Sequence, residues 1–585
     1  MHAVADKPID VGSGVMCASF DTRSAAWLSL GMPHLEHGFV ELSDLPPFDE
    51  HRRGDPAATR RHRMAMTDAA HAFLVVELDG SPPALAADLA GADVASWSAP
   101  GIRVTSSGAP DGGIRQLWTI EGGVREVRVR VRGRLDRPAL AEITELDPPP
   151  PTGATTVLTA VDATVTVAAI ALPATVLIRV GGPAMRWAEA DGELIGTLEA
   201  GGELAFELAA VGGRAAHEDV RSGAEPDRLT ARALSYVRGC TALRVGDGER
   251  GFITDHRILP LSWTRDAYWQ ALALLAADGP GDRTRVADHL RWLWRRCERP
   301  DGRWVRSHHA DGRRKDLAFQ ADQQLYPFVE LADYWRVVGE LPAGVDWPAA
   351  IEGAWPAALG AVDRATGLIA SAETAADDPA TAPFIGASQV LLWYTAERLA
   401  EMTAATRLGL DDPTGTAHRA RDAFLAHHAA GGGPWAYAVD GLGAREAYHD
   451  ANDLPIALAP LWGFCAADDP GWSATMAFAF SPANPAWSSG RRAGLGSVHT
   501  PGPWTLGDIQ RWLRGRIVGD VDEAGAAIAR LEQVAFADGM LPEAYGADDD
   551  TRIRHWFAWP GAALAALRTL DRDGRLEAML GVGRR

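Results

Sequence analysis

The strongest constraint in this chain of 585 residues is a change of hydrophobic period part-way along it. From Gly12 to about Gly213 the apolar residues fall in short, β-branched and often alternating runs, at 73–78, 101–105, 124–132 and 174–180, punctuated by Gly, Pro and Asp. A two-residue period puts one face of a strand on a core and the other in water, and the Val/Arg alternation at 124–132 is of that kind. Beyond residue 240 the apolar spacing becomes helical, at 267–277, 284–297, 317–338, 347–363, 388–402, 416–429, 453–464, 506–513, 522–534 and 560–570. Long helices separated by loops, with almost no strands, predict hairpins that close into an (α/α)6 barrel. The expected fold is therefore multidomain α+β: an N-terminal antiparallel β-sandwich with its linker over 1–225, then the barrel over 226–585. The polar stretch 214–227 reads as the linker and 228–238 as a connecting helix. No internal repeat recurs at a fixed period.

Composition narrows the partners. With 47% hydrophobic and 23% charged residues the chain can bury large cores, and its formal net charge of −20 works against nucleic acid or an anionic membrane as ligand. A neutral or cationic ligand is expected instead. No run of apolar residues is long enough for a membrane span, and residues 1–15 carry acids where a signal peptide needs a basic start. A cytoplasmic location is the expectation; the oligomeric state is left open. Cys17, Cys240, Cys297 and Cys465 form no CxxC pair, and no HExxH or DxDxDG string occurs, so neither metal nor other cofactor is expected.

Polar strings recur in the loops of the helical half. Trp263-Thr-Arg265-Asp266 precedes a helix start, where Asp266 is either an N-cap or, beside Arg265, a hydroxyl-binding group. Asp377-Asp378 lies in a polar loop; adjacent carboxylates repel, which suits a general acid, and a solvated acidic loop is the alternative. His449-Asp450-Ala-Asn452-Asp453 leads into a helix that Asp453 could cap, leaving His449, Asp450 and Asn452 for a ligand. His499 and Trp504 stand in a Gly- and Pro-shaped loop, Glu543 sits between apolar residues and an aromatic, and Trp556 follows. Asp322 and Gln323 fall near a helix N-terminus. Of the 21 Trp, 17 lie after residue 240. Sugars offer flat apolar faces edged with hydroxyls, so indoles together with carboxylates at helix ends suit a saccharide pocket.

Taken in order, these strings resemble the metal-independent exo-α-mannosidases of glycoside hydrolase family 125 over residues 258–570, and more distantly the family 15 glucoamylases. Residues 259–266 are similar to a segment ending Trp-Leu-Arg-Asp, 377–381 to the Ser-Asp-Asp-Ala loop, and 449–455 to Asp-Asp-Ala-Asn-x-Pro. Residues 494–499 are similar to Gly-x-Gly-x-x-His, and 541–545 with 556–559 to His-Glu-Ser-Phe and Trp-Phe-Ala-Trp. His449 replaces an Asp, Leu-Pro precedes the base, and the β-rich first half is more like bacterial family 15 enzymes.

The resemblance implies an inverting, metal-independent exo-α-glycosidase acting on a terminal sugar of an oligosaccharide or glycoside, α-mannoside before α-glucoside. It implies a general acid at Asp377 or Asp378 and a general base at Glu543, with Trp263, Arg265, Asp266, Asp322, Gln323, His449, Asp450, Asn452, His499, Trp504 and Trp556 around the sugar. An inverting phosphorylase, which would need cationic phosphate donors, and a non-catalytic glycan-binding toroid are the alternatives.

Overall fold

The computed structural model describes residues 7–88, 93–109, 111–141, 151–170, 172–211, 227–406, 408–554 and 556–582. The stretch expected to link the domains thus lies, except for Asp227, outside the described residues. Two compact units are present. The first comprises Met1–Ser262 with Gly279–Gly281 and His309–Arg313, and the second comprises Trp263–Asp278, Asp282–His308 and Arg314–Arg585.

In the first unit fifteen described strands form one branched antiparallel sheet, and Ala242–Gly246 and Glu249–Phe252 pair separately. Its spine is a pair of 18-residue strands, Ile114–Val131 and Glu193–Ala210, paired along their length except for a bulge at Ala200/Gly202. Val127, Val129 and Val131 are buried while Arg128 and Arg130 between them face water, as the alternation requires. Val124 is exposed, so the buried face begins only at Val127. Inward residues from all arms of the sheet, among them Trp27, Trp97, Trp118 and Phe206, join one apolar cluster. The unit also holds helices α1 (Pro56–Met66) and α2 (Arg228–Tyr236). The guanidinium of Arg232 on α2 donates to the carbonyl of Asp10 at 3.1 Å.

The second unit is helical. Its helices are α3 (Thr264–Ala277), α4 (Asp282–Arg291), α5 (Ala321–Val338), α6 (Trp347–Leu359), α7 (Gly386–Thr406), α8 (Pro413–His427), α9 (Leu454–Trp462), α10 (Pro470–Ala479), α11 (Thr505–Val518), α12 (Val521–Val534), α13 (Ala558–Arg572) and α14 (Leu576–Leu580). The odd-numbered helices make a closed circuit: α3 packs on α5, α5 on α7, α7 on α9, α9 on α11, α11 on α13, and α13 on α3. Most residues of these six are buried, as in helices enclosed by others; α13 buries twelve of its fifteen residues. Each is followed by an even-numbered helix after a short connection.

The returns are long, at 297–320, 360–385, 428–453, 480–504 and 535–557, and all lead to the N-termini of circuit helices. Neighbouring returns are tied by backbone pairing. Ala372 N donates to Phe319 O at 3.2 Å, Phe384 pairs with Val439, Ala451 N donates to Gly496 O at 3.0 Å, and Tyr545 N donates to Pro503 O at 3.0 Å. A crown of loops over five helix N-termini is therefore held as one piece, and the positive ends of those helices favour acidic side chains there.

Three helices, α1, α10 and α14, are absent from the expectation: α1 lies in the stretch read as strands, α10 opens Pro470-Gly, which reads as a turn, and α14 has five residues. The helix expected from 317 begins at Ala321, because Asp316 and Leu317 belong to the return. Among the described residues no helix is long and apolar enough to cross a membrane, and no group of three or more His, Cys, Asp or Glu could hold a metal ion.

Candidate active site in the loop crown

The proposed site residues lie in the returns or on the first turns they lead into. At the start of α3, Trp263 rather than Asp266 takes the N-cap position; Asp266 is in the first turn, so the capping alternative fails. Indole Nε1 of Trp263 donates to Asp377 Oδ2 at 3.0 Å. Arg265 is buried and reaches three carboxylates: Asp322 at 2.9 Å, Asp266 at 3.6 Å and Asp377 at 3.7 Å. Burial opposes its charge, but Asp322, Asp266 and Asp377 together hold its pKa above the ordinary arginine value. Its guanidinium lies 4.8 Å from the ring centre of Trp559.

Gln323 has no exposed surface and acts inside the wall. Its Oε1 accepts from Thr264 Oγ1 at 2.5 Å and from Arg265 N at 3.1 Å, tying α5 to the start of α3. It cannot meet a sugar. Asp322, beside it, accepts from Gln323 N at 2.9 Å as well as from Arg265.

The Asp377–Asp378 loop is a tight turn in which Thr374 N donates to Asp378 O at 2.8 Å. Asp377 has φ 65°, a left-handed conformation that costs a non-glycine residue about 1–3 kcal/mol and persists where surroundings enforce it. Besides the indole, it accepts from Gln320 Nε2 at 2.5 Å. Asp378 points elsewhere: its Oδ1 lies 3.1 Å from His499 Nδ1, while its Oδ2 is buried with no hydrogen-bond partner among the described residues.

The 449–453 string proves to be largely a self-satisfying network. Asp450 accepts from Asn452 N at 2.9 Å, Asn452 Nδ2 at 2.7 Å, Ser497 Oγ at 2.8 Å and the Tyr448 hydroxyl, so its carboxylate is spent on loop architecture. Gln510 Nε2 donates to the carbonyls of Asp450 and Ala451, so its Oε1 faces His449 Nε2 at 2.8 Å and that nitrogen carries the hydrogen. Burial, only partly offset by the Gln510 hydrogen bond and Asp450, pushes the His449 pKa down and leaves a neutral ring. Asp453 stands at the N-cap position of α9 yet makes no capping bond; its Oδ2 accepts from Asp450 N at 3.0 Å. Burial first, then the charge of Asp450, raises its pKa well above the carboxylate range. The Oδ1 of Asn452 is buried without a hydrogen-bond partner among the described residues, the one acceptor of this string left over.

On the far side of the crown, Glu543 Oε2 accepts from Arg554 Nε at 2.7 Å. Arg554 also has a left-handed backbone, φ 57°. Thr505 N donates to Glu543 O at 3.1 Å, fixing the strand that carries the carboxylate. Trp504 is almost wholly buried, its indole donating to Thr500 O at 2.9 Å, and its ring centre lies 6.3 Å from that of His499. Burial lowers the His499 pKa, but the hydrogen bond to Asp378 and the charges of Glu543 and Asp378 outweigh it and the net shift is upward. Trp556 has no exposed surface and offers no face to a ligand, a role in the wall rather than among the substrate-binding residues expected.

Sequence reasoning missed Gln320, Arg306, Glu373, Gln510 and Arg554. Arg306 bonds Asp316 at 2.9 Å and Glu373 at 3.2 Å from a return that carries no motif. Glu373 lies in the same loop as the Asp pair, and only its proximity to them hinted at a role.

Residues 349–567, within the second unit, match the family model of the metal-independent α-mannosidases, GH125. Among solved structures, a bacterial glucoamylase complexed with acarbose shares the fold with a TM-score of 0.60, covering 99% of this chain and 96% of its own at 11% identity. A Streptococcus pneumoniae metal-independent α-mannosidase, in a non-productive complex with α-1,6-mannobiose, matches at 20% identity over 59% of this chain and 93% of its own, TM-score 0.49. No curated protein sequence matches. The chain is a glycoside hydrolase.

Proposed function

We propose that this hydrolase is an inverting, metal-independent exo-α-glycosidase, with an α-mannoside as the favoured substrate and an α-glucoside next, working within an (α/α)6 barrel. The sheet of the first unit is read as a sandwich folded over its main apolar cluster. In this reading Asp377 is the general acid that protonates the glycosidic oxygen, and Glu543 is the general base that activates water on the opposite ring face. The two carboxyls are then roughly 6.5–9.5 Å apart, the spacing that leaves room for the water.

The observation that carries the reading is the convergence on His499, which touches Asp378 and feels the charge of Glu543 although the two acids come from returns more than 150 residues apart. Asp377 rather than its neighbour is assigned the acid because Trp263 and Gln320 fix both its oxygens beside Arg265, whereas Asp378 is turned to His499. Around Asp377, five carboxylates (Asp266, Asp316, Asp322, Glu373, Asp377) meet three cations (Arg265, Arg306, Lys315). Glu543 sits with Arg554, which occupies its Oε2. The family description supports mannose. Arg265, Arg306 and Arg554 are all engaged with carboxylates, which speaks against a phosphorylase.

Hydrolysis of 4-nitrophenyl α-mannoside followed by proton NMR tests the proposal: the first-formed sugar is the β-anomer. An α-anomer formed first would overturn inversion, and cleavage of the glucoside alone would overturn the sugar assignment.

A further inference from the structure

Gln320 Nε2 bridges two carboxylates, donating to Asp377 Oδ1 at 2.5 Å and to Glu373 Oε2 at 3.1 Å. Its orientation is forced, because its Oε1 accepts from Arg265 Nη1 at 3.2 Å and from Gln323 Nε2 at 3.1 Å. The amide therefore cannot flip to offer oxygen to either acid. Glu373 is further gripped by Arg306, whose Nη1 lies 3.2 and 3.3 Å from its two oxygens, while Arg306 Nε and Nη2 hold Asp316 at 3.2 and 2.9 Å and Lys315 holds the same carboxylate at 2.7 Å. Glu373 and Asp377 are thus the two ends of one short turn, both facing one amide.

We propose that Glu373 is a positioning residue for the general acid, holding Asp377 through the shared Gln320 amide and, by its own charge and its hold on Arg306, keeping the acid's proton on until the leaving group takes it. This rests on the assignment of Asp377 above. Among the charged groups around the pair, Asp377 raises the pKa of Arg265, Arg306 and Glu373 alike. Burial raises the Glu373 pKa, Arg306 works against that, and Asp377 adds to it, so the two carboxylates sense each other. Replacing Glu373 by glutamine removes one negative neighbour and frees Arg306 to act on Asp377. Both changes stabilise the ionised acid, so its proton is lost at lower pH.

The test is the pH profile of kcat/KM for the full chain on 4-nitrophenyl α-mannoside, comparing the wild type with E373Q, E373D and D377N. The basic limb, which reports the acid, moves down by about one pH unit in E373Q and returns most of the way in E373D. Loss of activity in E373Q with an unmoved basic limb would overturn the inference and leave Glu373 as a structural strut. If instead D377N keeps the wild-type basic limb, the assignment of Asp377 itself fails, a different outcome from failure of the Glu373 role. Circular dichroism melts of each variant separate both from misfolding.

Discussion

His499 and Asp378 meet at 3.1 Å, Nδ1 to Oδ1, and the same imidazole lies in the field of Glu543. A histidine whose folded pKa is raised contributes stability that is fully present below its unfolded value, about 6.5, and is lost as pH climbs through the folded value. Binding of a proton here thus reports on both acids at once. NMR titration of His499 is expected to show a midpoint above that of an exposed histidine. D378N lowers the midpoint because it removes the hydrogen bond and charge, and E543Q lowers it by a smaller amount. A midpoint unmoved by E543Q would mean that Glu543 does not face the cavity that Asp378 lines.

Glu543→Gln keeps the shape of the carboxylate and its contact with Arg554 but cannot take a proton from water. Turnover of 4-nitrophenyl α-mannoside is expected to fall by about 10²–10⁴-fold, while the affinity for mannose, read by calorimetry, changes little. Azide in place of the activated water restores cleavage in this variant and yields a β-glycosyl azide. Wild-type turnover in E543Q would remove Glu543 from the mechanism.

Asp377→Asn is expected to behave differently, because an acid matters only where the leaving group needs its proton. Cleavage of an alkyl α-mannoside falls by about 10²–10⁴-fold, whereas a 2,4-dinitrophenyl glycoside, whose leaving group departs as an anion, loses far less. Asp378→Asn should show no such dependence on the leaving group. The reverse pattern would transfer the acid to Asp378.

How much of this was legible in the chain depends on the kind of signal. The change of period marked where strands give way to helices, because burial on one face imposes it residue by residue. The acid and base candidates were legible as carboxylates in loops, since their chemistry restricts the residue type. What was illegible is the division of labour. Asp450 reads as a sugar ligand but is consumed by Tyr448, Ser497 and Asn452, and Ser497 lies in another return. Trp556 reads as one of the residues around the sugar and is core. Arg554 and Gln320 carry no local pattern, because what fixes their roles is contact with residues 11 and 57 positions away. Periodicity reports local faces, and only folding decides which loop residues meet.

Trp263→Phe tests the indole that holds the acid. The ring is retained and only the N–H to Asp377 Oδ2 is lost, so stability should change little. A hydrogen bond to an uncharged acceptor is worth about 0.5–1.5 kcal/mol, which sets an expected fall in kcat/KM of about two- to tenfold. The loss should be larger for alkyl than for dinitrophenyl glycosides, because what has been loosened is the proton donor. An equal loss on both would make Trp263 a binding wall and no more.

Glu330, on α5, shows the cost of an acid buried without a use in the crown. Neither of its oxygens has a hydrogen-bond partner among the described residues, and His289 Nε2 lies 3.7 Å away. Burial, with Asp333 adding to it, pushes its pKa well above the ordinary glutamate value. A carboxyl with a raised folded pKa holds its proton in the folded state while the unfolded chain has released it. Stability therefore falls as pH rises above the unfolded value, about 4.3, by up to about 1.4 kcal/mol per unit until the folded pKa is reached. Met fills a similar volume and has nothing to ionise. Glu330→Met is thus expected to raise the melting temperature by several degrees at pH 8 and by little at pH 4.5, with activity unchanged; this is read by differential scanning calorimetry across that range. A gain that is the same at both pH values would mean that the benefit comes from packing, and a loss at pH 8 would mean that the buried carboxyl is hydrogen-bonded through water and stabilises the helix pair.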